Sequence, residues 1–426
     1  MAAQRQLARA SWLNGFAHSY RSRHVAKRIL IVGALDTKGA EFAYLRDQIA
    51  GLGADTLVMD IGVVGEPPFA PGIASAEVAR AAGADLGQLR ADHDRGAAMA
   101  AMGRGAAALA RRLYDAGEIA AVVGMGGSGG ASVIASAMRA LPVQAPKLLV
   151  FTLAAGDMKP YLGSRNITVM PSIVDVAGLN RVSRQIFCHA AAAIVGMLDA
   201  AAPAEDDRPT LAASMFGNTT PCVDRARAAL EAAGFEVLVF HATGTGGETM
   251  EGLIRDRLVA GVLDLTTTEW ADEIAGGILS AGPTRLDAAA AAGVPQVVGP
   301  GCLDMANFGP RASVPPQHQG RLLYEWNPTV TLMRTTAEEN ALLGRIFAEK
   351  LNAARGPTRV LIPLRGFSML DSPGERFWSP EADAAFVAAL RADLRPDIPI
   401  EQLDANINDP AFADRAAAAL LEMLGR

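Results

Sequence analysis

From Arg28 onward the sequence repeats one unit: a short run of consecutive apolar residues, a break at glycine or a polar residue, then a segment of helical periodicity. Ile29-Leu30-Ile31-Val32, closed by Gly33, is the first such run. An apolar run without alternation suits a strand buried on both faces, and such strands belong to parallel sheets covered by helices. Strands are expected at 56–60, 119–123, 147–152 and 166–170, with helices over 40–50, 94–114 and 174–198. The alternation stops at 200–209, where Pro203, Glu205, Asp206, Asp207 and Pro209 make a polar, proline-flanked linker. It restarts with strands at 211–216, 235–240, 261–265, 294–298, 329–333 and 359–363. Helices are expected to open at Thr220-Pro221, with Thr as cap and Pro in the first turn, and to cover 337–352 and 410–424. The pattern predicts two successive doubly wound α/β domains with parallel sheets, 28–203 and 204–426, behind a basic N-terminal arm at 1–27.

Composition removes several classes. Hydrophobic residues make up 50% of the chain and charged residues 20%, which excludes a mainly disordered protein. A net charge of −6 lacks the basic footprint of a general nucleic-acid binder. Cys188, Cys222 and Cys302 are far apart in sequence and form neither a CxxC pair nor a disulfide framework, which fits a reducing cytosol, so a cytoplasmic location is expected. The uncharged stretch 119–138 is interrupted by GMGGSGG and reads as strand, loop and helix rather than a membrane span. The arm carries Arg5, Arg9, Arg21, Arg23 and Lys27, no acid and no long apolar core, which argues against a secretory signal. A transit peptide and a loosely docked arm both remain open for it.

Ligands of open α/β sheets sit at the carboxyl ends of strands. The loop Gly124-Met125-Gly126-Gly127-Ser128-Gly129-Gly130 follows a strand and opens a helix, so its N–H groups can cradle an anion. The GxGxxG spacing is present, but the next strand ends Phe151-Thr152-Leu153-Ala154-Ala155 without the acid a dinucleotide site needs. No Lys-Ser/Thr pair follows the glycines, so the loop is not a P-loop either. The first strand ends in Gly33, Asp36, Thr37 and Lys38, a set suited to a metal–phosphate group or to simple helix capping. Asp60 can meet a ribose hydroxyl or form an Asx turn, and Asp157 can reach the glycine loop. In the second domain, three strand ends carry Asn218-Thr219-Thr220, His241 with the Gly244–Gly247 cradle, and Asp264 to Glu269. That set predicts a polar crevice where His241 moves a proton with Asp264 or Glu269 holding its ring; capping and core roles are the alternative. Arg334 closes a strand and can hold a carboxylate or phosphate. No metal-ligand spacing is present.

The strings VGALDTKGAEF, GMGGSGGASV, DVAGLNRVSRQI, MFGNTTPCV, VFHATGTGGETME, LDLTTTE and LMRTTAEEN resemble an uncharacterised bacterial, fungal and plant family of ATP-binding proteins. The family includes the N-terminal region of a plant inhibitor of tomato mosaic virus RNA replication. The resemblance runs from about Arg28 to Leu424. It implies two Rossmann-like domains, homo-oligomeric self-association, and ATP binding by the first. Carried over residue by residue, the nucleotide site comprises Gly33, Asp36, Thr37, Lys38, Gly124, Gly126, Gly127, Ser128, Gly129, Gly130, Thr152 and Asp157. Mg2+ is expected with the nucleotide, helped by Asp36 or Asp157. Where the family often has a His before an Asn, this chain has Trp326 before Asn327. The leading expectation is therefore an ATP-binding protein of unestablished reaction. Its alternative is an enzyme acting on a small carboxylate or phosphorylated metabolite at the second-domain or inter-domain crevice, working with a separate partner enzyme.

Overall fold

The computed structural model describes residues 28–200 and 208–426. The expected basic arm and most of the linker lie outside the described residues.

The first domain runs β1 (Arg28–Gly33), α1 (Leu35–Gly51), β2 (Asp55–Asp60), α2 (Ser75–Ala81), α3 (Leu86–Ala91), α4 (Arg95–Asp115), β3 (Ala121–Gly126), α5 (Ser128–Ala140), β4 (Lys147–Phe151), α6 (Lys159–Leu162), β5 (Thr168–Pro171) and α7 (Arg181–Asp199). Its five strands lie in the order β2-β1-β3-β4-β5, all parallel. Alternate residues of β1 serve opposite faces: Leu30 and Val32 enter one core with Met102 and Ile134, while Ile29 and Ile31 enter the other with Phe42 and Phe187. This double burial explains the unbroken apolar run. Each such side chain stabilises by roughly 1.5–3 kcal/mol. The chain leaves β1 towards β2 on one side and returns to β3 on the other. The crevice of this topological switch opens beyond the carboxyl ends of β1 and β3.

Two helix boundaries differ from expectation. Helix α1 starts at Leu35 and kinks at Lys38, whose φ of −134° and ψ of 29° are not helical. Helix α7 starts at Arg181 rather than 174, because Asn180 caps it by accepting from the Val182 and Ser183 N–H groups, each at 2.9 Å.

The second domain runs β6 (Thr210–Met215), α8 (Thr220–Ala232), β7 (Glu236–His241), α9 (Thr245–Arg255), β8 (Gly261–Thr266), α10 (Glu269–Ala275), α11 (Asp287–Ala292), β9 (Gln296–Gly301), β10 (Met305–Phe308), β11 (Leu323–Asn327), β12 (Val330–Arg334), α12 (Ala337–Asn352), β13 (Thr358–Pro363), α13 (Pro380–Asp393), β14 (Ile400–Leu403) and α14 (Pro410–Leu424). A parallel sheet has the order β14-β13-β9-β8-β6-β7, with its switch between β6 and β8. The chain thus folds as two parallel-sheet α/β domains of the Rossmann-like kind.

The strand expected at 329–333 does not extend the parallel sheet. It is β12, the centre of a separate antiparallel sheet ordered β10-β12-β11. An Asx turn makes the hairpin, with Asn327 Oδ1 accepting from the Thr329 N–H at 2.9 Å. As the central, mostly buried strand, β12 carries the same apolar run as a parallel strand. The expected Thr220 cap is not formed: Thr220 is the first helical residue, and Thr219 before it does not cap the helix but accepts from the Phe216 N–H of the preceding turn, at 3.1 Å. No helix among the described residues is long and apolar enough to cross a membrane.

Candidate functional site

Strand β3 ends at Gly126 and α5 begins two residues later. Gly127 sits between them with extended backbone, φ −78° and ψ −175°, and no side chain caps the helix. The first N–H groups of a helix have no intrahelical partner, so those of Ser128, Gly129 and Gly130 face outward at the positive end of the dipole. The glycines fall into two groups. A Cβ on Gly33 would fall 2.0 Å from the Phe42 ring, and one on Gly124 would fall 2.5 Å from Ile134 and 2.7 Å from the Val32 carbonyl. One on Gly126 would meet the Ala131 nitrogen at 3.1 Å. These three serve close packing. By contrast, a Cβ on Gly127 would meet only Thr152 Oγ1, at 3.7 Å, and one on Gly130 would meet nothing within 4 Å. Thr152 joins the loop through its N–H, which donates to the Gly126 carbonyl at 3.4 Å.

Sequence reasoning missed Arg95. It is the first residue of α4 and exposed, and its Nη2 lies 3.0 Å from where a Cβ on Gly129 would stand. Its guanidinium has no hydrogen-bond or ion-pair partner among the described residues. Nothing local marks it, because Arg95 stands 26 residues before the start of β3 at Ala121; only the packing of α4 on α5 brings it to the loop.

The remaining expected ligands are otherwise engaged. Asp36 Oδ2 accepts from the Val64 and Gly65 N–H groups at 2.8 and 3.1 Å, bracing the loop after β2. Arg90 holds the same loop, donating to the Val63 and Gly65 carbonyls at 3.1 and 2.9 Å. The Lys38 ammonium donates to the Val176 carbonyl, and Thr37 Oγ1 reaches back to the Ala34 carbonyl at 3.4 Å. Asp60 Oδ1 accepts from the Leu35 and Gly62 N–H groups at 3.0 and 2.9 Å, so it caps α1 and forms the Asx turn. Burial raises its pKa. Asp157 is exposed and accepts from the Lys159 N–H at 3.0 Å, capping the short α6. The expected Asp-Thr-Lys metal–phosphate group is therefore a set of loop braces. Among the described residues no group of three or more His, Cys, Asp and Glu could hold a metal ion.

In the second domain the three loops do meet. Thr219 Oγ1 and Thr266 Oγ1 are 2.8 Å apart. The Gly244–Gly247 cradle binds an anion, and the anion is internal: Glu269 Oε1 accepts from the Gly244 and Gly247 N–H groups at 2.8 and 3.0 Å. Its other oxygen accepts from Arg285 Nε at 2.6 Å. Arg285, 1% exposed, also grips Asp264 with both terminal nitrogens, at 2.5 and 2.6 Å, and lies 3.4 Å from Glu251. Burial raises the pKa of Glu251 and Glu269, against the pull of Arg285. The expected catalytic set is thus not formed. Asp264 and Glu269 are sealed in a buried ion cluster, while His241 ends the edge strand β7, exposed, with its ring 5.5 Å from that of Phe216. Arg285 and Glu251 carried no strand-end signal in the sequence.

One polar side chain at the β6/β8 switch has an oxygen without a partner. Asn218 is 2% exposed, its Oδ1 has none, and its Nδ2 reaches only the Met305 sulfur, at 3.5 Å. Arg334 does hold carboxylates, as its position suggested, but they belong to Asp371 and Asp383.

The description "Uncharacterised protein family (UPF0261)" is that of the family models matching this chain, the N-terminal domain over 27–203 and the C-terminal domain over 208–424. The chain belongs to the UPF0261 family. A UPF0261 protein of Clostridium tetani is 48% identical over 400 residues, 93% of this chain and 99% of that one. UPF0261 protein RA0729 of Rhizobium meliloti is 46% identical over 398 residues, 92% and 98% of the two chains. The ToMV resistance protein Tm-1(GCR237) of Solanum lycopersicum is 39% identical over 337 residues, 77% of this chain but 45% of that protein. A solved structure, the ABC domain in complex with L-Trp from Streptococcus pneumonia, matches over 89% of this chain and 90% of that one at 14% identity and a TM-score of 0.18, too weak a likeness to bear on fold or function.

Proposed function

We propose that this UPF0261 chain binds ATP at the β1/β3 switch of its first domain, with the phosphates on the N–H groups of the 127–130 segment and on Arg95. The observation that carries the reading is the uncapped start of α5 beside an arginine without a partner. The choice of ATP among phosphate ligands rests on the resemblance of VGALDTKGAEF and GMGGSGGASV to ATP-binding relatives. Thr152 borders the phosphates. Mg2+ rides on the nucleotide rather than on Asp36 or Asp157, since each carboxylate has an oxygen taken by backbone N–H groups and the second Asp36 oxygen is buried. Self-association into a homodimer or larger homo-oligomer goes with this reading, and light scattering returning only a 44.3 kDa species counts against it.

Calorimetry with ATP, with and without Mg2+, tests the site. Gly127→Val should abolish measurable binding with an unchanged fold, because the new side chain meets only Thr152. Arg95→Ala removes charge-assisted hydrogen bonds from an exposed position and should weaken binding about tenfold or more. Unchanged affinity in both variants removes the site.

A second reading follows from Asn218. A buried amide oxygen without a partner calls for water or a ligand, and it stands where α/β sheets bind small molecules. An enzyme acting on a small carboxylate or phosphorylated metabolite would use this point rather than His241 with Asp264 or Glu269. A calorimetric screen of small acids in which Asn218→Ala leaves every response unchanged disposes of it.

A further inference from the structure

Arg334 ends β12 and is 6% exposed. Its Nη2 lies 2.9 Å from Asp383 Oδ1 and 3.5 Å from Asp371 Oδ1, and its Nε donates to the Phe377 carbonyl at 2.7 Å. The carboxyls of Asp371 and Asp383 thus approach the same nitrogen of Arg334. Asp371 is fully buried and accepts from the Phe367 N–H at 2.9 Å and the Ser379 N–H at 3.4 Å. A third acid, Asp304, is also fully buried; one oxygen accepts from Ser368 Oγ at 2.8 Å and the other has no partner.

Two carboxyls therefore share one guanidinium away from water, and a third lies beside them, with the Asp304 backbone carbonyl accepting from Arg334 Nη1 at 3.4 Å. Two buried carboxylates on one guanidinium nitrogen leave one negative charge without a cation, and a proton taken up by the pair removes it. Like charges so close together cannot both persist in a buried site. We propose that the second domain contains a proton-binding clasp: one proton, held between Asp371 and Asp383 beneath Arg334, keeps the 364–379 loop closed over the carboxyl end of the sheet.

The clasp joins four segments. Arg334 comes from β12, Asp371 and the Phe377 carbonyl from the loop, Asp383 from the first turn of α13, and Asp304 from the loop after β9. Under the loop lie the buried side chains of Phe367, Leu370 and Phe377. Loss of the proton leaves an extra negative charge in a sealed site with one cation, and opening of the loop is the route by which water reaches it. The titratable groups facing the pair are Arg334, Asp304 and the Cys302 thiol, which burial and the two neighbouring aspartates hold in its neutral form. One layer out, Arg321 donates to the Arg334 carbonyl and pairs with Glu339.

Burial, then the Asp371 charge, push Asp383 up to about 9, and burial with Asp371 pushes Asp304 up to about 7. A pKa raised on folding gives stability that is complete below the unfolded value near 3.8 and is lost as pH rises through the folded value. The clasp is therefore closed at neutral pH and opens on the alkaline side.

Hydrogen–deuterium exchange of the full chain, corrected for the intrinsic pH dependence of exchange, tests this. Protection of peptides in 364–379 should fall about tenfold or more between about pH 7 and pH 9.5, while peptides from β6 and β8 keep theirs. Asp383→Asn supplies the hydrogen-bond donor without a titrating proton, so its loop should stay protected across the range. Asp371→Asn is the second variant, should the first not fold, with the same expectation. Equal protection of the wild-type loop at both pH values overturns the clasp. So does loss spread evenly over the domain, or loss of the same size in a folded Asn variant.

Discussion

Replacing Arg285 with Met should come close to unfolding the second domain at neutral pH, and acid should partly restore it. Arg285 is 1% exposed and makes close contacts with Asp264 at 2.5 and 2.6 Å, with Glu269 at 2.6 Å and with Glu251 at 3.4 Å. Met fills much of the aliphatic volume, so the change is chiefly one of charge. Removing one partner of a buried ion pair costs about 3–5 kcal/mol. Here three acids lose their cation at once, although Glu269 and Glu251 keep backbone N–H donors. The loss should therefore reach about 5 kcal/mol, close to the whole stability of a marginal domain. The sign with pH follows from the acids. The folded pKa values of Glu251 and Glu269, already raised by burial, rise further without Arg285, so stability is retained at low pH and lost as pH rises. Urea unfolding followed by tryptophan fluorescence reads the right domain, because Trp270, Trp326 and Trp378 all belong to it. A deficit under about 1 kcal/mol, or one equally large at pH 5 and pH 8, would refute the reasoning that these groups are held as a buried ionic cluster.

Other perturbations separate the two glycine loops. Gly247→Ala places a Cβ 2.2 Å from Glu269 Oε2 and should cost about 1–3 kcal/mol in denaturant unfolding. Gly130→Ala meets nothing within 4 Å and should leave stability unchanged or raise it by up to about 1 kcal/mol. Asp272 is pushed up to about 7 by burial, so its contribution falls as pH rises from about 4 to 7. Asp272→Asn should flatten that part of the pH profile, because Asn307, whose Oδ1 has no partner, can turn its amide to receive the new donor. A profile parallel to that of the wild type would count against this.

The fold was legible where burial on both faces leaves no choice of residue. The β1 run Ile29 to Val32 and the helices Ala337–Asn352 and Pro410–Leu424 are examples. The antiparallel sheet was hidden because β12 is buried like a parallel strand, while its edge partner β11 carries Glu325 and Trp326 on an exposed face. The candidate site was legible only in part. Five glycines in seven residues mark the 124–130 loop, but not which glycines pack and which stay open, since that depends on Phe42 and Ile134 from other elements. Arg95, Arg285 and Asp371 are single charged residues on ordinary segments. Their roles come from which neighbours the topology supplies, and no local pattern encodes that.

The strand-end helices differ in what meets their exposed N–H groups, and this difference bears most directly on function. At α1 the Leu35 N–H is met by Asp60 from the end of the neighbouring strand β2. At the start of α9 the Gly244 and Gly247 N–H groups are met by Glu269, which follows β8. In both places the chain supplies its own carboxylate, and a free phosphate would have to displace a buried charge that is already hydrogen-bonded. At α5 the neighbouring strand β4 is followed by Thr152, with a hydroxyl and no acid, and the charged group that reaches the loop is the cation Arg95. An open helix start with an added positive charge has the polarity to attract an external anion, whereas a start filled by an internal carboxylate does not. Introducing an acid at this position makes the third helix start resemble the other two. Thr152→Glu should therefore remove phosphate affinity while leaving the fold in place, and an ATP isotherm unchanged by that substitution would mean that the open start of α5 is not where the nucleotide binds.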